Sequence, residues 1–337
     1  EAQNMGASTA NYNVGVGFKA GEAMTTGVQN VFVGGLAGDA LTDADFNVAV
    51  GFSALTTDTL GSKSTAIGVN SLGSQNFTTA TDTYNTAVGY NTGSSVTTGL
   101  GNTLTGGLAG DALTDADYNT VFGYNALSSD TLGSRSTAIG IAALFTQNFT
   151  TATDSHNTAV GNLAGYAITT GTNNTLIGSS AGDALTDADL NVAVGFGSLG
   201  FDQLGSKTTA IGYRALGTQR FTTATNSHST AVGADAGLEI TTGLEDTLLG
   251  SAAGDALTVG SYNVALGSFA LSADTAGSQN VAVGRGALLT QNFTTATVSL
   301  NTAVGMHAGN AVTTGVMHLR MLIIMWLWGR VLCLLIL

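Results

Sequence analysis

The chain has 337 residues, 47 of them Gly and none Pro, with 9% charged, 44% hydrophobic and a net charge of −13. Ordinary domains carry about 7% Gly and about 25% charged residues. The absent Pro excludes a collagen helix, the apolar content argues against disorder, and a single cysteine, Cys333, excludes a disulfide scaffold. With 9 Lys and Arg against 22 Asp and Glu, no basic surface for nucleic acid is expected. The chain starts at Glu1 with no charged, apolar and small-residue leader, and is expected to be a fragment or processed form, open at both ends.

From about residue 13 one short pattern recurs: Asn or Ser, then Val or Thr, a small residue, Val or Ile, and Gly. Asn47-Val48-Ala49-Val50-Gly51, Ser64-Thr65-Ala66-Ile67-Gly68 and Asn85-Thr86-Ala87-Val88-Gly89 are instances. The closing glycines run from Gly17, Gly34, Gly51, Gly68 and Gly89 to Gly305, spaced 17, 17, 17 and 21 residues, four times over. Each 21-residue step carries an insert such as Gln75 to Thr81, which returns at Gln147, Gln219 and Gln291. A 17-residue unit is too short for a helix pair, and its apolar signal is a β-branched run without a 3.6-residue period. The spacing therefore predicts an all-β fold: a parallel β-solenoid, or β-roll, of about seventeen coils in four 72-residue super-repeats over residues 1–316.

Neighbouring strand residues face opposite ways. The Ala49 and Val50 columns are both apolar, so one packs the coil and the other faces out. Both faces are then expected to be buried, the outer one against another chain. The alternative is an inward column with a strip of exposed alanines. The closing glycines are expected at corners that need φ > 0 or a close backbone approach. Segments such as Leu36 to Leu41 and Ser53 to Leu55 read as second, shorter strands or corners.

The runs Asn-Thr-Ala-Val-Gly, Ser-Thr-Ala-Ile-Gly and Thr169 to Gly178 resemble the head repeats of YadA-like trimeric autotransporter adhesins and the shafts of phage tail fibres, over residues 13–315. The coils are longer than the usual adhesin head repeat. The resemblance implies a parallel β-roll that forms a homotrimer, sits on a bacterial cell surface or in a virion tail fibre, and binds a host-surface or matrix receptor. No enzyme is expected, because repetition dilutes any unique catalytic constellation, and no membrane insertion by the repeat region is expected.

Other motifs are weighed residue by residue. Asp39, Asp43 and Asp45 recur as Asp111, Asp115 and Asp117 and as Asp183, Asp187 and Asp189. They suit Ca²⁺ as oxygen ligands, but read first as acidic turns; the fourth copy keeps only Asp255. Lys63, Arg135 and Lys207 share a column and read as solubilising charges, with a sparse binding stripe as the alternative. Phe77, Phe149, Phe221 and Phe293 either protrude as contact residues or fold back on the coil below. The sequons at Asn76, Asn148 and Asn292 read as turn asparagines. His156 and His228 share a column with Tyr84 and Leu300, while His307 and His318 are isolated. No catalytic, cofactor-binding or metal-ligating set stands out, since every unusual residue is diluted by near-copies. The functional expectation is a structural, adhesive fibre segment. A calcium-stabilised secreted solenoid is the alternative and an ice-binding solenoid a lesser one, because pairs such as Thr25-Thr26 and Thr97-Thr98 skip coils.

Within residues 317–337, Met321 to Leu337 is strongly apolar but carries Gly329 and Arg330. Rejoining the third base of each codon to the first two of the next fixes Ala at Met317-His318, Val at Met325-Trp326 and Gly at Trp328-Gly329. The shifted frame permits Asp-Ala-Leu-Thr-Asp-Ala-Asp-Tyr-Asn-Val-Ala-Val-Gly, which matches Asp183 to Gly195 apart from Tyr in place of Leu190. The tail is therefore expected to be a frame-shifted piece of the repeat, with a membrane helix as the rival reading.

Overall fold

The computed structural model describes residues 11–315 and, in the tail, the backbone of two short antiparallel strands, Trp326–Leu327 and Arg330–Val331. The frame-shift reading of 317–337 otherwise lies outside the described residues. The chain divides into two compact units, residues 1–174 and 175–337.

Each coil carries a three-residue strand ahead of its closing glycine. Among the described residues the first unit has nine such strands, from Val14–Val16 to Thr158–Val160, and the second has eight, from Thr175–Ile177 to Thr302–Val304. Within each unit, every strand pairs parallel with the one a coil further on. The register is unslipped: Val31, Phe32 and Val33 face Val48, Ala49 and Val50, and Val192, Ala193 and Val194 face Thr209, Ala210 and Ile211. The described residues contain no α-helix. The fold is an all-β parallel β-solenoid of seventeen coils, as the spacing requires.

The middle residue of each strand points inward. Phe32, Ala49, Ala66, Leu104 and Ala138 are fully buried. The closing glycines all have φ between 124° and 149°, a region that side chains rarely enter. Beyond each glycine the chain turns through two left-handed residues, so the segments that read as short strands or corners are corners. After Gly34 these are Leu36 (φ 59°) and Gly38 (φ 57°); after Gly51 they are Ser53 (φ 56°) and Leu55 (φ 53°). A left-handed Leu costs about 1–2 kcal/mol. Leu55 is fully buried, and that burial is worth about as much.

Two ways of filling the coil follow. With Gly38 at the second left-handed position, Leu41 reaches into the core; a Cβ on Gly38 would stand 3.2 Å from Leu41 Cδ1. With Leu55 at that position, the place of Leu41 passes to a buried Asp58. Its neighbour one coil on is Gln75, whose Nε2 donates to Asp58 Oδ2 at 2.6 Å. Asp58 Oδ1 accepts the N–H groups of Gly61 at 3.1 Å and Phe77 at 3.0 Å. The same cage recurs at Asp130 with Gln147 and Phe149. It ties the 21-residue insert down, and Thr81–Asp82 adds a short parallel strand to Gly61–Ser62.

The polar residue that opens each strand forms a ladder. Asn47 N–H donates to Asn30 Oδ1 at 2.8 Å, and Asn47 Nδ2 donates to the Gly61 carbonyl at 2.9 Å. Ser64 N–H in turn donates to Asn47 Oδ1 at 2.8 Å. Buried polar groups need such partners, and the stacked amides supply them coil after coil.

Candidate functional site

The first and third residues of each strand face away from the coil. In the first unit the third position holds Val33, Val50, Ile67 and Val88; Val33 is 37% and Ile67 39% exposed. In the second unit it holds Val194, Ile211, Val232 and Leu249, with Ile211 37% and Leu249 41% exposed. Phe52, Tyr90 and Tyr124, and in the second unit Phe196 and Tyr213, stand exposed just past the closing glycines. The small Ala49 column is thus the inward one. The outward strip is mostly Val, Ile and Leu, broken by Thr105 and Phe122 in the first unit, and the exposed-alanine alternative does not hold. Each unit leaves a largely apolar strip on its surface, and soluble monomers rarely expose continuous apolar patches beyond a few hundred Å².

The repeated carboxylates act as links between coils. Thr26 donates its hydroxyl to Asp43 Oδ1. Val28 N–H donates to Asp45 Oδ1 at 2.7 Å, and Thr56 Oγ1 to Asp39 Oδ1 at 2.7 Å. The second copy repeats the pattern, with Thr98 on Asp115 at 2.6 Å and Leu100 N–H on Asp117 at 2.7 Å. Asp111 and Asp255 each keep one buried oxygen without a partner, and burial raises the pKa of both above the usual carboxylate value. Among the described residues no three His, Cys, Asp or Glu side chains gather as a metal-holding group.

The cation column is paired with the insert above it. Lys63 Nζ meets Asp82 at 2.5 Å and Arg135 Nε meets Asp154 at 3.0 Å. Each cation also lies near a ring, Lys63 at 5.1 Å from Tyr84 and Arg135 at 5.6 Å from Tyr118. In the third copy Lys207 stays but faces Asn226 where Asp82 stands, and in the fourth both charges are gone, with Gln279 opposite Val298. Phe77, Phe149, Phe221 and Phe293 fold back and are almost fully buried; they close the coil and present no contact surface. His156 and His228 occupy left-handed positions at strand entry, as Tyr84 and Leu300 do.

Two features escape sequence reading. One is the buried Asp58 column, whose only signal is that Asp58, Asp130, Asp202 and Asp274 hold the same place in all four copies. The other is a concavity around Arg214, where the third super-repeat departs from its siblings. No family model matches the chain, and no curated protein matches it.

Proposed function

We propose that the chain is a structural, adhesive fibre segment that works as a homotrimer. It projects from a bacterial surface or a virion tail and binds a host or matrix receptor. The observation that carries this reading is the outward Val33, Val50 and Ile67 strip, half-exposed and repeated coil after coil. A second and third copy would bury it, as parallel sheets are normally buried on both faces. Three copies is the number implied by the resemblance of the repeat to adhesin heads. The tied coils suit projection, because the polar ladder and the Asp58 cages couple each coil to the next.

Cross-linking of the intact chain at low concentration tests this reading. A ladder of products that stops at three copies supports it. A single uncross-linked band at every concentration removes it.

A further inference from the structure

The four super-repeats are near-copies, and in the third a surface concavity of about 220 Å³ opens around Phe196, Phe201, Arg214 and Asp183. Small residues carve it. Gly200 stands where the sibling coils carry Thr56, Ser128 and Ser272, and Gly197 where they carry Ser53, Asn125 and Phe269. A Cβ on Gly200 would come within 3.4 Å of Asp183 Oδ1, and one on Gly197 within 3.8 Å of Arg214 Cγ. At the Gly217 position the first super-repeat also carries a glycine, Gly73, and the second carries Phe145, which stacks on Tyr166 with ring centres 5.2 Å apart.

The walls are as distinctive as the space. Phe196 stacks on Tyr213 at 5.8 Å and is 56% exposed; Phe201 is 64% exposed and replaces Thr57, Ser129 and Ala273 of the siblings. Arg214 is exposed and replaces Asn70, Ala142 and Gly286. Its guanidinium lies 5.9 Å from the Tyr213 ring and forms none of the ion pairs among the described residues. Asp183 lies half-buried in the same lining, hydrogen-bonded by Ser180. Two ring faces, one planar cation, one carboxylate and a hydroxyl therefore converge on a space below the roughly 300 Å³ of whole-ligand pockets.

We propose that this concavity binds one carboxylate-bearing sugar ring of an acidic saccharide. Arg214 takes the carboxylate through its two-pronged donor edge, the rings of Phe196 and Phe201 cover the C–H face of the sugar, and Asp183 with Ser180 accepts its hydroxyls. One cation beside Asp183 suits a singly charged carboxylate better than a doubly charged phosphate. The size admits one ring of a longer chain. The proposal deepens the receptor-binding part of the function proposed above, and the site lies within neighbouring coils of one chain.

Calorimetric titration of the intact chain with a galacturonate trisaccharide tests it, beside the neutral galactose trisaccharide and a triglutamate peptide. Binding is expected for the galacturonate alone. Arg214→Gln should weaken it about ten-fold or more, the scale of losing a charge-assisted hydrogen bond. Gly200→Thr restores a residue that a sibling coil already accommodates, so the fold is kept while the space is filled; it should weaken binding by a similar factor with an unchanged circular dichroism spectrum. No galacturonate binding, equal binding of the neutral sugar or the peptide, or undiminished binding by both variants overturns the proposal. A three-copy chain that ignores the sugar leaves the fibre reading standing. A one-copy chain that binds it leaves the sugar site standing.

Discussion

Gly51 approaches Gly68 so closely that a Cβ on the first would stand 2.4 Å from the carbonyl oxygen of the second. The same holds for Gly123 against Gly140, at 2.2 Å. Both glycines thus meet two demands, a φ of 137° at Gly51 and 149° at Gly123, and a backbone neighbour that cannot move aside without carrying its own coil with it.

Gly123→Ala is therefore expected to lose about 3–5 kcal/mol, from backbone strain and overpacking together. Urea denaturation against the parent chain measures it. A shift under about 1 kcal/mol would mean that the glycine column is not sterically fixed.

Asp246 occupies the polar ladder where most other coils place Asn and the rest Ser or Thr. Its Oδ1 accepts Asn263 N–H at 2.8 Å, but its buried Oδ2 has no partner. Equivalent amides donate to the carbonyl fourteen residues on, as Asn263 Nδ2 does to Gly277 at 3.0 Å; for Asp246 that carbonyl belongs to Gly260, and only a protonated carboxyl can serve it. Burial raises the Asp246 pKa to about 7. A folded pKa above the unfolded value of about 3.9 means that the folded chain holds the extra proton between those limits. Stability is full below about pH 4, falls as pH rises through about 7, and stays low above it. Asp246→Asn should flatten that slope and add up to about 4 kcal/mol at pH 8. Thermal melts at pH 5 and pH 8 compare the two chains; equal pH slopes would show that the carboxyl is not held neutral.

Asp130 is the second buried carboxylate that can be put to test. It accepts from Gly133 N–H at 3.0 Å, Phe149 N–H at 3.1 Å and Gln147 Nε2 at 2.6 Å. Asp130→Ala strands three buried donors and should cost about 3 kcal/mol or more. Because those donors hold the insert, hydrogen exchange at Phe149 should accelerate before the strand Thr137–Ile139 opens. Uniform exchange across both would mean that the cage does not secure the insert.

The coil count, the strand positions and the glycine corners were legible because spacing of 17 and 21 residues sets them directly. The inward column was ambiguous, since Ala49 and Val50 are both apolar and size alone does not separate them: the inward position holds Ala49 and Ala66 but also Phe32 and Leu104, where Gly38 and Gly110 leave room. The fate of Phe77 was open for a similar reason: an insert aromatic can pack either way, and the N–H that Asp58 holds draws it in. Left-handed Leu55 and Leu72 could not be read, as leucine has no preference for positive φ and only their burial sustains it. The Arg214 concavity arises from the third-copy substitutions Gly197, Gly200, Phe201 and Arg214, together with Gly217. Each is unremarkable alone, and they meet only when neighbouring coils stack.

Burial of the outward strip is the central claim, and sedimentation velocity on the intact chain beside an Ile139→Lys, Ile211→Lys variant tests it most directly. Both residues are outward third positions of their strands, so a charge there leaves the core untouched but opposes burial against another copy. The parent should sediment at three times the chain mass, and the variant, still folded, at one. A parent that sediments as a single chain, or a variant that stays at three copies, would contradict it.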